Sequence, residues 1–330
     1  MPRMTFLAAF LFLAFGCIGF ARAQGSEIID PAEAAKDPDF TIQGEYVGEG
    51  NWDGVVAKVG AQVIALGNGQ FAVVVTKGGL PGDGWSRGEP RFSMAGKRTD
   101  GETVLTGDKF SGRIVGTAMT IDSADGKTWL ALKRTVRHSA TEGVKPPEGA
   151  VVLFDGATAD NFVSGRLTKD KNLFSEATTK RGFGDYALHL EFRLSYMPLA
   201  RGQARSNSGV YLQNCYEVQV LDSFGLEGEN NECGGFYQVR RPDVNMCYPP
   251  LTWQTYDVRF TAPRFRDGKK AADARVEVRH NGVVIHPEFA LPHPTAGGQV
   301  EQPAPRPLYL QGHGNKVEYR NIWVKEKGQE

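Results

Sequence analysis

Three short segments of the sequence place polar side chains at every second position of an otherwise apolar run. Because successive side chains of a β-strand point to opposite faces, each segment predicts a strand with one apolar and one polar face. Carboxylates, imidazoles and amides can move protons and bind hydroxyl groups. One such strand is typical of an ordinary solvated face, but three together favour a site for a polyhydroxylated ligand. The polar positions are His189, Glu191 and Arg193 in the first segment, Glu217 and Gln219 in the second, and Tyr309, Gln311 and His313 in the third.

Two carboxylates in these segments are candidates for glycoside hydrolysis. A conventional glycosidase needs one acidic group as proton donor and a second as nucleophile or base. Glu217 and Glu191 could supply this pair if their strands are neighbours. Asp222 has the opposite parity to Glu217, so we expect it at the strand end, past a bulge or in a capping role. For Arg320 two interpretations stay open, a ligand contact and a buried ion pair.

Several ordered segments resemble one bacterial family of carbohydrate-active domains. This family is described as 3-keto-disaccharide hydrolase, and also as 3-keto-glucoside 1,2-lyase with 3-keto-2-hydroxy-glucal hydratase activity. The resemblance runs from about residue 151 to residue 324 and does not include the first half of the chain. The segments that carry it are 183–193, 207–213, 216–223, 310–314 and 319–324.

The resemblance implies a reaction that begins beside a ketone. A ketone at sugar C3 acidifies the C2 proton, so a general base can remove that proton while the group on C1 leaves. Hydration of the resulting 2-hydroxy-3-keto-glucal completes a net hydrolysis. We expect Glu217 or His313 as the base and Glu191 as a further catalytic group. His189, Arg193 or a bound divalent cation would stabilise the enolate. The expected substrate-binding residues are Gln219, Gln311, Tyr211, Arg193, His189, Asp222 and Arg320.

The sequence leaves a divalent cation open as a cofactor. Glu191, Glu217, His189 and His313 are acceptable ligands for zinc, manganese or calcium if they converge. However, the sequence has no compact ligand motif such as His-x-x-x-His. Two other functions stay open beside the 3-keto-glycoside enzyme. One is a non-catalytic glycan-binding module, and the other is a conventional glycoside hydrolase.

Length and charge narrow the class of protein. The chain has 330 residues, which favours two domains. Residues 1–23 indicate a secretory signal, with Arg3, an apolar run and a small-x-small cleavage site, so we expect a periplasmic or secreted protein without a membrane span. Without these residues, 36 Lys and Arg stand against 38 Asp and Glu, a net charge of −2. This balance argues against nucleic-acid binding and favours a neutral small partner, a 3-keto-disaccharide or glycoside.

Strand and turn signals predict an all-β protein in two parts. Residues 41–137 predict a small antiparallel barrel or sandwich with a hairpin at 67–69, which we expect to serve as a packing or recognition module. A proline-containing linker is expected at 141–149. Residues 150–326 predict an antiparallel β-sandwich with a hairpin at 281–282. The resemblance implies that this sandwich has the concanavalin-like, jelly-roll form.

Three cysteines remain after removal of the signal, in a compartment that permits disulfides. Cys233 and Cys247 flank a loop rich in Gly, Pro and Asn, which is a suitable place for a bridge. We therefore predict a disulfide between Cys233 and Cys247 and a free thiol at Cys215.

Overall fold

The computed structural model describes residues 27–328, and the predicted signal peptide lies outside the described residues. The described chain opens with two short helices, α1 (Pro31–Ala34) and α2 (Pro38–Ile42). Each has an Asp N-cap, Asp30 or Asp37, whose carboxylate accepts a backbone hydrogen bond, followed by a proline at the first helical position. No helix among residues 27–328 is long and apolar enough to cross a membrane.

Ten strands follow before residue 136, and eight of them close an antiparallel barrel in the order β1-β10-β9-β8-β7-β6-β3-β2. The other two form a separate short pair. The barrel interior holds alternating apolar residues such as Val59, Val63 and Val73. The strands are β1 (Gly44–Trp52), β2 (Val55–Gly67), β3 (Gln70–Lys77), β4 (Leu80–Pro81), β5 (Gly84–Trp85), β6 (Arg91–Arg98), β7 (Thr103–Thr106), β8 (Phe110–Val115), β9 (Ala118–Ser123) and β10 (Trp129–Thr135).

The second part of the chain is a β-sandwich with one short 3₁₀ turn, Gly202–Ala204. Its strands are β11 (Val151–Phe154), β12 (Phe162–Val163), β13 (Leu173–Phe174), β14 (Ala177–Phe183), β15 (Tyr186–Arg193), β16 (Asn207–Leu212), β17 (Tyr216–Leu221), β18 (Trp253–Thr261), β19 (Arg264–Arg266), β20 (Lys269–Ala272), β21 (Ala274–His280), β22 (Val283–Leu291), β23 (Arg306–Leu310) and β24 (Glu318–Glu326).

Two sheets make the sandwich. The five-stranded sheet, here called the front sheet, has the order β12-β14-β23-β16-β17. The seven-stranded sheet, here called the back sheet, has the order β11-β24-β15-β18-β21-β22, with β13 also paired to β24. Strands β19 and β20 form a separate pair. The two sheets enclose one apolar core, to which Val210 and Val218 contribute from the front and Leu190 and Tyr256 from the back.

These elements confirm the prediction of an all-β fold with a small antiparallel β domain before a sandwich. Both expected hairpins are present. Asn68 and Gly69 join β2 to β3, and Asn281 and Gly282 join β21 to β22, all four with positive φ as such tight turns require. The concanavalin-like, jelly-roll topology stays a prediction.

The predicted disulfide is wrong for this structure. Cys215, Cys233 and Cys247 are all free and buried. The Cys233 and Cys247 thiols are in hydrogen-bonding contact with each other without being bridged, and each has a further polar neighbour in the core. The Cys233 sulfur lies 3.3 Å from the Tyr256 hydroxyl, and the Cys247 sulfur lies 3.5 Å from the Leu221 carbonyl. The thiols therefore act as small buried groups that hydrogen-bond weakly.

Candidate functional site

The outer face of the front sheet carries a compact set of polar side chains. On β16 and β17 the residues of one parity, such as Val210 and Val218, face the core. Their neighbours of the other parity therefore lie on the outer face. Most of them are buried by the surrounding loops although they do not face the core. The set comprises Asn207, Gly209, Tyr211, Glu217, Gln219, Tyr309 and Gln311.

Glu217 is the single carboxylate of this set, and its side chain is only 2% exposed. Tyr211 is its register partner across the β16–β17 ladder, and the Tyr211 hydroxyl donates to Glu217 Oε2 at 2.8 Å. The Gln311 amide in turn donates to the Tyr211 hydroxyl at 3.2 Å. Burial raises the pKa of Glu217 to about 7, although the hydrogen bond from Tyr211 acts in the opposite direction. A carboxylate with this pKa exchanges protons readily near neutral pH.

A glycine makes room for this carboxylate. A Cβ added at Gly209 would lie 2.2 Å from Glu217 Oε1, so the Glu217 side chain rests directly over the Gly209 backbone. Any larger residue at this position would push the carboxylate away from the sheet. Gly209 therefore sets where Glu217 can lie.

The next polar residues along the face are amides. The Gln219 amide nitrogen donates to Asn207 Oδ1 at 3.1 Å and to Gln203 Oε1 at 3.2 Å. Asn207 and Gln219 are almost fully buried on their strands, whereas Gln203 is half-buried on the 3₁₀ turn. The Gln219 side-chain oxygen is buried and has no hydrogen-bond partner among the described residues. An unpaired buried oxygen is costly, so it marks a place where a donor is missing.

Two loops hold the outer edge of β17 at Glu217. The Glu217 N–H donates to the Thr295 hydroxyl at 2.8 Å, and the Glu217 carbonyl accepts from the Tyr237 N–H at 3.2 Å. Thr295 belongs to the long segment between β22 and β23, in which Gly297 approaches the Tyr211 hydroxyl so closely that an added Cβ would lie 3.0 Å from it. The main chain of the carboxylate residue is thus fixed from both sides.

His313 and Asp222 flank the set in different ways. His313 is exposed on the loop that follows β23, between Gln311, whose N–H bonds the Gly209 carbonyl, and Asn315, whose side chain accepts from the Asn207 N–H. It lies at the rim of the front face. Asp222 directly follows β17, as its parity suggested, and is buried in an ion pair with Arg205 at 2.6 Å. Its carboxylate is therefore already occupied.

The other predicted site residues lie on the back sheet. His189 and Glu191 on β15 face outward beneath the linker between the two parts of the chain. His189 Nδ1 lies 2.7 Å from Asp257, and Glu191 accepts from the Gly143 N–H at 2.7 Å and from Arg320 at 2.6 Å. Arg320 also donates to Glu142 of the linker at 2.7 Å. These contacts fasten the linker to the sandwich.

The charges of this back-sheet cluster are paired internally. Burial alone would raise the pKa of Glu191, but hydrogen bonds from His189, Asn321, Gly143 and Arg320 outweigh it and bring that pKa to about 2. Burial would lower the pKa of His189, yet its bonds to Asp257 and Glu191 raise it.

Arg193, the remaining candidate on the back sheet, also has its charge paired. Arg193 is paired with Glu318 at 2.9 Å and lies over the Trp253 ring. The structure therefore does not bring Glu191, His189, Arg193 or Arg320 to Glu217. The strands of Glu191 and Glu217 are in different sheets, so the condition for a glycosidase pair between them is not met.

The described residues contain no group of three or more His, Cys, Asp or Glu side chains arranged to hold a metal ion. The front face offers a single carboxylate among amides and phenols, and His189 and Glu191 lie on the other sheet. The four proposed ligands thus do not converge into one donor set.

Sequence reasoning did not single out Asn207, Gly209, Gln203 or Thr295. For Asn207 and Gly209 a signal was present, because both share the parity of Tyr211 in the segment 207–212. Gln203 and Thr295 lie in loops, where no periodicity indicates which way a side chain points.

One solved structure agrees with the architecture of the sandwich. A search of curated proteins finds no match. A crystal structure from Parabacteroides distasonis ATCC 8503, provisionally assigned as a glycosyl hydrolase, is similar with 29% sequence identity and a TM-score of 0.51; the match covers 56% of the present chain and 86% of that protein. A second protein from the same organism, with the same provisional assignment, matches at 18% identity and a TM-score of 0.39, over 55% and 95% of the two chains.

The family comparison covers the sandwich. Residues 149–325 match the model of the 3-keto-alpha-glucoside-1,2-lyase-like domain, which is more than half of the chain and includes both sheets. The resemblance seen in the sequence is thereby confirmed, and it supports a carbohydrate-active function. Through this sandwich, the chain belongs to the 3-keto-alpha-glucoside-1,2-lyase-like domain family.

Proposed function

We propose that the protein cleaves 3-keto-glycosides by elimination followed by hydration, and that the reaction takes place on the outer face of the front sheet. Glu217 is the general base. The observation that carries this proposal is the buried Glu217 carboxylate, bonded to Tyr211 and with its pKa raised to about 7. Family membership supplies the substrate class.

The steps follow from the acidity of the C2 proton. Glu217 takes that proton, and the electron pair of the C2–H bond forms a C2–C3 double bond while the ketone oxygen becomes an enolate. The enolate then re-forms the ketone, a C1–C2 double bond appears and the C1–oxygen bond breaks. The departing oxygen receives a proton from Tyr211, which recovers one from Glu217. Water finally adds across the C1–C2 double bond and gives the free 3-keto sugar.

Tyr211 suits this role because it stays protonated. Burial raises the pKa of Tyr211, with a further contribution from the neighbouring charge of Glu217. The hydroxyl therefore stays protonated until the departing oxygen accepts its proton. The Gln311 amide fixes the direction of that hydroxyl. His313, on the rim, is the second candidate for proton transfer during hydration.

A paired-carboxylate mechanism has less support. It needs two acidic groups on either side of the scissile bond, about 5–10 Å apart. Glu191, the second carboxylate considered, belongs to the back sheet and is occupied by Arg320 and the linker. The bare glycan-binding module stays as the alternative in which the same face holds a sugar without turnover.

One experiment separates these functions. The protein is incubated with 3-keto-trehalose and 3-keto-lactose in heavy water, with and without a chelator, and the products are followed by mass spectrometry. We expect deuterium at C2 of the released keto sugar. Turnover without C2 label would indicate direct hydrolysis, and binding without turnover would leave the glycan-binding module.

A matched pair of variants completes the experiment. Glu217→Gln keeps the size and hydrogen-bonding shape of the side chain but cannot take a proton, so it should lose turnover and C2 exchange. Glu142→Gln, in the linker, serves as a control that removes a carboxylate elsewhere. Full activity of Glu217→Gln would remove Glu217 from the mechanism.

We further propose that this activity is located in the periplasm or outside the cell. This proposal is supported by the signal-like pattern of residues 1–23, which lie outside the described residues. Detection of the mature amino terminus near Gln24 in the periplasmic or secreted fraction would test it.

A further inference from the structure

Two amide N–H groups converge on one oxygen at the sheet face that carries Glu217. The side-chain oxygen of Gln203 accepts from Asn207 Nδ2 at 3.1 Å and from Gln219 Nε2 at 3.2 Å. The oxygen that receives both bonds is a carbonyl oxygen. Two fixed donors aimed at one carbonyl oxygen are the arrangement that stabilises a developing oxyanion in enzymes.

The two donors are buried on strands of the sheet, whereas the acceptor belongs to Gln203, a half-buried residue whose main-chain carbonyl also accepts from Asn207 Nδ2 at 2.8 Å. Asn207 and Gln219 are 1% exposed and stand on neighbouring strands of the front sheet. A hydrogen bond between them, from Gln219 Nε2 to Asn207 Oδ1, fixes both amides. Gln203 is half-buried on the one-turn 3₁₀ element, next to the exposed Gly202, and its amide nitrogen is tied only to the Asn231 carbonyl among the described residues.

Gln203 satisfies the two donors but leaves one acceptor empty. The Gln219 side-chain oxygen is buried without a partner in the described chain. The Gln203 oxygen cannot fill this gap, because an amide oxygen carries no proton. A ligand with a ketone oxygen beside a hydroxyl group can satisfy both needs. Its ketone would accept the two N–H groups, and its hydroxyl would donate to the Gln219 oxygen.

We propose that Asn207 and Gln219 form the oxyanion hole of the reaction and that Gln203 occupies this hole when substrate is absent. This inference rests on the proposed function, because the ketone is that of a 3-keto-glycoside. On binding, the C3 ketone oxygen takes the place of the Gln203 oxygen. When Glu217 removes the C2 proton, the electron pair shifts into the C2–C3 bond and the negative charge arrives on the oxygen between the two amides.

The spacing along β17 agrees with this assignment. Glu217 and Gln219 are two residues apart on one face, so their Cα atoms are separated by about 7 Å. In the substrate, the carbon that loses the proton and the oxygen that gains the charge are separated by two bonds, C2–C3 and C3–O. Two long side chains at this spacing can contact both at once. Asn207 and Gln219 would thus stabilise the enolate, which is the role expected from the sequence for His189 or Arg193. Those two residues lie on the back sheet.

Three variants test the proposal with 3-keto-trehalose as substrate. Asn207→Asp and Gln219→Met remove donors while keeping much of the side-chain volume. We expect each to lower kcat by about 10²–10³-fold, with a parallel loss of C2 deuterium exchange. Gln203→Ala should keep kcat and lower KM, because the substrate no longer competes with a side chain. Gln62→Met in the barrel is the matched control for loss of a buried amide.

The outcomes distinguish the hole from the function on which it rests. If the unaltered protein shows no turnover and no C2 exchange, the proposed function fails and the oxyanion hole fails with it. If the unaltered protein is active and the Asn207 and Gln219 variants, shown to be folded by circular dichroism, keep their kcat, only the oxyanion hole is overturned. Loss of kcat in Gln203→Ala would also contradict it, since Gln203 would then be needed during turnover.

Discussion

Tyr211 and Glu217 face each other across one rung of the front sheet, and the phenol donates to the carboxylate at 2.8 Å. Two effects of opposite sign act on Glu217 through this arrangement. Burial favours the neutral acid, and the hydrogen bond from Tyr211 favours the anion. Burial wins, and the balance brings the pKa of Glu217 to about 7. The burial of Glu217 therefore sets the pH at which the candidate base becomes available, and the bond from Tyr211 moderates the effect.

The first prediction concerns the pH dependence of turnover. Only the ionised form of Glu217 can accept a proton, so kcat/KM should rise with pH through a pKa of about 7. Tyr211→Phe removes both the bond that favours the anion and the proposed proton donor to the departing oxygen. The pKa of Glu217 should therefore move to higher pH, and the rate should fall at every pH. Steady-state kinetics between pH 5 and 9 measure both. A rising limb that stays in place in Tyr211→Phe would assign it to another group.

The second prediction concerns stability. The pKa of Glu217 is about 7 in the folded protein against an ordinary value of 4.5, so the folded state holds this proton more tightly. The contribution of Glu217 is therefore fully present below pH 4.5 and is lost as pH rises through about 7. The Glu217→Gln variant has no carboxyl group to ionise, so it does not lose this stability as pH rises. Above pH 7 it should be more stable than the parent by up to about 3 kcal/mol, since one pH unit corresponds to about 1.4 kcal/mol.

Urea unfolding at pH 4.5 and pH 8 checks this sign. The stability difference between Glu217→Gln and the parent should be small at the lower pH and grow towards the higher one. A difference that is constant with pH would mean that the carboxyl group does not titrate differently in the folded and unfolded states.

The third prediction concerns the room made by Gly209. Gly209→Ala places a methyl group where the Glu217 carboxylate lies, 2.2 Å from Oε1, so the carboxylate must shift. Because a misplacement of about 1 Å can cost about 10²-fold in rate, we expect a loss of that order in kcat with the fold retained. Gly184→Ala is the control, because an added Cβ there meets nothing within 4 Å. Equal activity of the two variants would show that the position of Glu217 is not critical.

The fourth prediction concerns Glu191, which the structure places in the linker contacts. Its pKa of about 2 lies below the ordinary 4.5, so its stabilising contribution is present above pH 4.5 and is lost as pH falls towards 2. Glu191→Gln leaves Arg320, which is 35% exposed, with Glu142 as its remaining carboxylate partner, and should lower the free energy of unfolding at pH 7 by about 1–2 kcal/mol. Turnover per folded molecule should stay unchanged.

Limited proteolysis adds a second measurement to this prediction. Glu191 also accepts the Gly143 N–H, so the linker at 141–149 should be cut faster in Glu191→Gln than in the parent. A folded Glu191→Gln variant without turnover would return Glu191 to the catalytic set.

Period-two alternation predicted the polar face of β17 and the polar face of β15 correctly, because the side-chain period of a strand follows from backbone geometry alone. It could not tell that the two strands belong to different sheets. Parity indicates that Glu191 and Glu217 both point away from the core. Because their strands lie in opposite sheets of the sandwich, the two side chains point away from each other. Arg320 is in an ion pair, one of its two open interpretations, with Glu191 on the neighbouring strand and with Glu142 of the linker, whose position only the folded chain shows.

The contacts made by loop residues could not be predicted from the sequence pattern. Thr295 contacts the Glu217 N–H, and Gln203 contacts two buried amides. Each of these contacts depends on how a long irregular segment returns to the sheet. No local periodicity records such a return. Cys233 and Cys247 show the same limit, since the composition of the loop between them suggested a bridge, whereas the folded chain places the two thiols in contact as free, buried groups.

The attachment of Glu217 by its main chain has a consequence for how such a protein can diversify. Thr295 and Tyr237 hold the N–H and the carbonyl of the same residue, so the base keeps its position through bonds that do not involve the exposed parts of either loop. Those exposed parts are free to lengthen, shorten or change composition over generations. Under the proposed function, such changes at the loop tips would accommodate new leaving groups while Glu217 keeps its position.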